Sequence, residues 1–128
     1  VNMYLDGASY YLEFGVWQYK LGFKITGSDC WEIFFDHIHD VIPSIESYVK
    51  NGQKEKIIFK AGEQIGTTSG NSSSGNWDFG MKNLAVDGPL AKYSIYTRNA
   101  VCWVDYFAPA KQGFYRNKLV GEKILCNF

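Results

Sequence analysis

Phe59-Lys60-Ala61-Gly62-Glu63-Gln64-Ile65-Gly66, followed after a polar loop by Asn76-Trp77-Asp78-Phe79-Gly80, is the part of this chain whose reading decides the fold. Residues 56–60 read as a short strand. Gly62 and Gly66 then bracket a tight turn around Glu63 and Gln64. Residues 67–75 run Thr-Thr-Ser-Gly-Asn-Ser-Ser-Ser-Gly, low in complexity and without an apolar side chain. Because strands flank them closely, they form a surface loop rather than a linker. Residues 77–81 make the next strand.

Working outward, the pattern stays mostly β. Trp17, Tyr19, Leu21, Phe23 and Ile25 alternate with Gln18, Lys20, Gly22 and Lys24, the period of a half-buried strand. Residues 10–14 precede it, with Gly15 as a bulge or turn. Thr26-Gly27-Ser28-Asp29 is turn chemistry, so residues 30–35 return antiparallel. Past Asp40 the spacing of Ile45, Tyr48 and Val49 predicts one or two helical turns, with Ser44 as N-cap after Pro43 and Asn51-Gly52 as the stop. Residues 93–96 and 101–106 form a further strand pair or a short appended unit, and residues 112–125 fit helix and strand equally. The expected fold is mainly β: an antiparallel sheet or open β-barrel with one short helix.

The chain has 128 residues, the size of one domain or a piece of one. Its 13 basic and 13 acidic residues cancel without forming a run of either sign. That leaves no basic patch for nucleic acid and no electrostatic attraction to an anionic membrane. No apolar run approaches the roughly 20 residues of a membrane span, and none reads as a signal peptide. The opening at Val1 rather than Met implies an upstream segment. Aromatic content is high at 17%, which suits either a large core or a ligand-stacking surface. Cys30, Cys102 and Cys126 lack Cys-x-x-Cys spacing. Three buried thiols is the preferred reading over one disulfide with a free thiol.

Few residues offer chemistry. Asp36-His37-Ile38-His39-Asp40 contains both histidines of the chain. On a regular strand His37 and His39 share one face, opposite Asp36, Ile38 and Asp40. Paired histidines of this kind hold zinc in many sites, although solvated strand-end residues without metal are the commoner outcome. Asp78, between Trp77 and Phe79, faces away from both, toward a groove or simply toward solvent. Glu63 is the other carboxylate of note.

Three segments, in order, resemble the zinc endopeptidase domain of the LytM (M23) type. Phe35-Asp36-His37-Ile38 is similar to the family's Tyr-x-His-Leu strand, residues 61–66 to its Gly-x-x-Ile-Gly turn, and Asn76-Trp77-Asp78-Phe79 stands where the family has His-x-His-Phe. The likeness covers roughly residues 8–83, leaving residues 84–128 as an extension. It implies that His37 is the retained catalytic histidine, that Asn76 replaces a second one, and that Asp78 takes the place of a zinc ligand. The family's first two ligands, from His-x-x-x-Asp, have no counterpart, since no histidine precedes His37.

A catalytic zinc needs three protein ligands and an open water position. Asp78 and His37 fall short of that set, so no cofactor is expected, with zinc as the alternative. The resemblance therefore implies a non-catalytic cell-envelope or secreted domain. Asn76, Asp78 and His39 would bind peptidoglycan, a peptide or a glycan in the former active-site groove. A working peptidase completed from an upstream segment is the first alternative. A structural domain docking through residues 93–107 is the second.

Overall fold

Phe14 (φ 50°) and Gly15 (φ 79°) both lie in the left-handed region, the geometry of a two-residue type I′ turn. They close a long hairpin of β1 (Met3–Glu13) and β2 (Val16–Ile25), whose antiparallel ladder runs up to Glu13↔Val16. Gly15 thus makes the turn that its position suggests. The computed structural model describes residues 1–52, 55–68, 77–117 and 126, which fall into two units, Val1–Phe79 and Gly80–Phe128.

After the hairpin, the first unit continues with β3 (Trp31–Ile38), β4 (Asp40–Val41), α1 (Pro43–Asn51), β5 (Ile58–Phe59) and β6 (Gly66–Thr67), and it ends on the first residues of β7 (Asp78–Asn83). The strands of its main sheet lie in the order β5-β1-β2-β3, each paired antiparallel with its neighbour. The mainly β, antiparallel expectation holds. Among the described residues no pairing closes this sheet into a barrel.

The alternation in β2 sets the core. Tyr19, Leu21 and Phe23 are buried together with Leu5, Ile38, Ile45 and Phe59. A fully buried side chain of this size stabilises by roughly 1.5–3 kcal/mol. Two residues depart from the simple pattern. Trp17, at the hairpin end beyond the core, is half-exposed, and Gln18 is buried, at 3% exposure. Phe23 meets Phe35 and Phe59 edge to face.

Helix α1 packs Ile45 into this core and stops at Gly52, which adopts the left-handed conformation expected of a C-cap. Its start differs from expectation. The N-cap is Ile42, whose carbonyl accepts from the N–H groups of Ile45 (3.0 Å) and Glu46 (3.1 Å). Pro43 occupies the first turn, where its fixed φ and missing N–H cost nothing, and so displaces Ser44 from the cap.

The turn read from the opening stretch is present, with Glu63 N–H bonded to the Lys60 carbonyl (3.2 Å) and Lys60 N–H to Glu63 Oε2 (3.0 Å). Gly66 answers to a close approach. A Cβ there would lie 2.4 Å from the Asp40 carbonyl oxygen and 2.7 Å from Ile38 Cγ2, so only glycine lets β6 pair with β4.

In the second unit β7 pairs with β8 (Ala100–Val101) through Met81↔Val101 and Lys82↔Ala100. A 3-10 turn, Trp103–Tyr106, and α2 (Pro109–Arg116) follow. The expected strand pair of residues 93–96 and 101–106 does not form: the former lie in turns, and the latter give one residue to β8 before entering the 3-10 turn. Part of the ambiguous 112–125 stretch is helix, in an element begun by Pro109, three residues ahead of that window. The chain thus has a second helix where one was expected. Residues 118–125 lie outside the described set.

The cysteine preference is overturned. Cys102 and Cys126 form a disulfide and are buried with Val104, while Cys30 is free and exposed. The bridge joins positions 24 apart that no sequence spacing links.

Candidate functional site

The site grows from an irregularity in β3. Leu21 pairs with Phe35 and Tyr19 with Ile38, so Lys20 alone faces the two residues Asp36 and His37. That is a β-bulge, and His37 sits in it with φ 61°. Its effect can be read in the packing. Phe35 and Ile38 both join the core although they are three apart, which regular alternation forbids. Asp36 and His37 are left together on the opposite side of the sheet.

This corrects the expected pairing of histidines. A regular strand would carry His37 and His39 on one face, but the bulge interrupts the alternation and β3 ends at Ile38. His39 leads into β4, its N–H bonded to the Thr67 carbonyl (2.8 Å) and its Nδ1 paired with the neighbouring Asp40 (3.0 Å). Among the described residues it shares no side-chain partner with His37.

Asp36 holds the bulge. Its Oδ1 accepts from the His37 N–H (3.0 Å) and from the Tyr11 hydroxyl, and its Oδ2 pairs with Lys20 Nζ (2.8 Å). Burial raises the Asp36 pKa, but the hydrogen bonds from Lys20, Tyr11 and the His37 amide outweigh it and hold the carboxyl below its ordinary range. Tyr11 shifts the other way. Burial first, then the hydrogen bond to the Asp36 carboxylate, drives its hydroxyl well above the usual tyrosine range.

The His37 ring is fixed by a buried amide. Gln18 Nε2 donates to Glu13 Oε2 (2.9 Å), a partner that can only accept, so Gln18 Oε1 turns toward the ring. His37 Nδ1, 3.1 Å from that oxygen, must therefore carry the proton. Glu13 Oε2 lies 3.4 Å from the same nitrogen. On the far side of the ring Nε2 is 3.6 Å from Asp78 Oδ2. That separation is too long for a direct hydrogen bond. In the neutral ring, Nε2 and the Asp78 carboxylate are thus two acceptors facing one gap.

Of the site residues expected from sequence, the structure brings His37 and Asp78 together and leaves His39 apart. Asn76 and most of the 67–75 loop lie outside the described residues. Tyr11, Glu13, Gln18 and Lys20 were not singled out. The alternation does place Gln18 and Lys20 on the polar face of β2, but their partner becomes visible only once the register with β3 is known.

Among the described residues the donor set falls short of the three ligands of a catalytic zinc. His37 Nε2 and Asp78 supply two ligands, Glu13 lies against the other ring nitrogen, and His39 is held by Asp40. Among the described residues no group of three His, Cys, Asp or Glu side chains could hold a metal ion. No described helix is long and apolar enough to cross a membrane. Comparison of the chain with models of known families, with curated proteins and with solved structures returns no match.

Proposed function

We propose that this chain is a non-catalytic, LytM-like domain of the cell envelope or of a secreted protein, which binds a peptide or glycan, peptidoglycan included, at the His37–Asp78 gap. One observation carries the reading: His37 Nε2 and Asp78 Oδ2 lie 3.6 Å apart, with the His37 ring oriented by Gln18, so that a single ligand donor can bridge both acceptors from the solvent side. An amide N–H, a sugar hydroxyl or an ammonium group is that donor. Half-exposed Trp77, stacked on Phe35 (ring centroids 5.8 Å apart), offers an aromatic face next to Asp78 in the chain. The Cys102–Cys126 disulfide supports an oxidising compartment. No cofactor enters this function, because the chemistry is hydrogen bonding alone.

The test is titration with muropeptides and short glycans of the wild type, of Asp78→Ala and of Asn76→Ala/Asp78→Ala. Saturable binding by the wild type, weakened about tenfold or more by loss of Asp78, is expected. Equal binding by all three, or none by any, overturns the assignment. Cleavage of cross-bridges with one tightly held zinc would make the chain an enzyme instead.

A further inference from the structure

The side of β1 that faces away from β2 carries backbone groups that no described residue of the first unit uses. β5 covers this edge only at Met3 and Tyr4, with one further bond from the Leu5 N–H to the Ile57 carbonyl (2.9 Å). Past the register shift between Leu5 and Gly7, residues 8–13 pair with β2 alone among the described residues. The two-residue turn makes Glu13↔Val16 a hydrogen-bonded pair, so Glu13, Tyr11 and Ser9 direct their N–H and C=O groups toward β2. Ala8, Tyr10 and Leu12 direct theirs outward.

Exposed edges are ordinarily blunted by lysine, proline, a bulge or a covering element. Residues 8–13, Ala-Ser-Tyr-Tyr-Leu-Glu, contain neither lysine nor proline, and the bulge lies before them. The adjoining surface is apolar. Tyr10 is 46% exposed, Leu12 55%, Trp17 50% and Phe14 90%, with the Tyr10 and Trp17 rings stacked 4.9 Å apart. Free backbone donors and an exposed apolar face on one strand are what a second strand requires.

We propose that this edge pairs with the same edge of a second copy of the chain, antiparallel across a two-fold axis at Tyr10. The segment is complementary to itself in that register. Tyr10 meets the second copy's Tyr10, the small Ala8 meets its Leu12, and Ser9 meets its Tyr11. Glu13, the segment's one charged residue, falls opposite a glycine, Gly7. No like charges face each other, and the net charge of +0 opposes no approach of two copies. The three outward residues form three hydrogen-bonded pairs, about six ladder bonds in all. Two sheets join edge to edge in an isologous dimer.

The experiment is sedimentation velocity from micromolar to millimolar concentration, in a Cys30→Ser background so that the exposed thiol cannot link chains. Two variants accompany it. Leu12→Pro removes one outward N–H, a position where an edge strand tolerates proline. Tyr10→Lys sets two ammonium groups against each other on the axis. The expected result is a species of twice the chain mass, with a dissociation constant raised about tenfold or more in each variant at unchanged far-UV circular dichroism. If Leu12→Pro unfolds, Tyr10→Lys alone decides. A single-chain mass at every concentration overturns the proposal and leaves the edge to a foreign strand, and so does a dimer that both folded variants retain.

Discussion

In Val1–Phe79, long strands bury Leu21, Phe23 and Ile45 almost completely, and the ladder between β1 and β2 runs nearly the length of both. In Gly80–Phe128, β7 and β8 share two residue pairs, and the connections are clamps. Cys102 is bonded to Cys126, Arg98 grips Asp87 through two contacts (2.6 and 2.8 Å), and Trp103, Phe107 and Tyr115 pack ring against ring. A sheet of extended strands removes enough apolar surface from water to hold itself. A unit of short elements buries less and relies on closures that restrict its unfolded state or fix single contacts.

Removing the disulfide should separate the two regions most sharply. Closing a loop of this separation contributes roughly 3 kcal/mol in the chain-entropy picture. Hydrogen exchange on Cys102→Ala/Cys126→Ala should show protection lost in β8 and α2 and kept in β1 and β2. Equal loss in both units would erase the contrast. Next in size is Gly66→Ala, which drives a Cβ into the Asp40 carbonyl. About 1–3 kcal/mol of destabilisation is expected, read as a shift in the denaturant midpoint of the first unit. A silent Gly66→Ala would mean that β4 and β6 are not held by close packing.

His37→Val, a β-branched residue at φ 61°, should cost about 1–2 kcal/mol, whereas His37→Asn, which tolerates that conformation, should melt close to wild type. Both variants lose the imidazole, so their difference isolates the bulge from its chemistry. Smallest are the pH effects. The folded-state pKa of Asp36 is lowered, so its contribution is present above the ordinary carboxylate range and fades as pH falls through the folded value. Tyr11 is raised, so its contribution is complete below its ordinary value of 10.0 and fades as pH climbs beyond that. Asp36→Asn should flatten the acid limb of melting temperature against pH, and Tyr11→Phe the alkaline limb. Unchanged limbs would detach both groups from the stability of the first unit.

How much was legible follows the same division. Period two in residues 19–23, the Gly15 turn, the return of β3 and the Gly52 stop are local signals, and each survives folding. The helix start was misplaced because Pro43 and Ser44 both suit a first turn and only the path of the chain chooses between them. In the second unit the signals are short and mixed, and the disulfide depends on a fold that local patterns do not encode. The site was half legible. Asp78 could be read as facing away from Trp77 and Phe79, but the company of His37 turns on one unpaired residue in β3, and no period reveals that.

The bulge also separates the scaffold from the side chain it displays. Without His37, Phe35 and Ile38 would stand two apart, as a regular strand requires of two core residues, and the ladder between β2 and β3 would close without interruption. The imidazole is thus carried by a residue that the scaffold does not need. Deleting His37 is expected to remove the ring and leave the β2–β3 ladder paired on both sides of the gap.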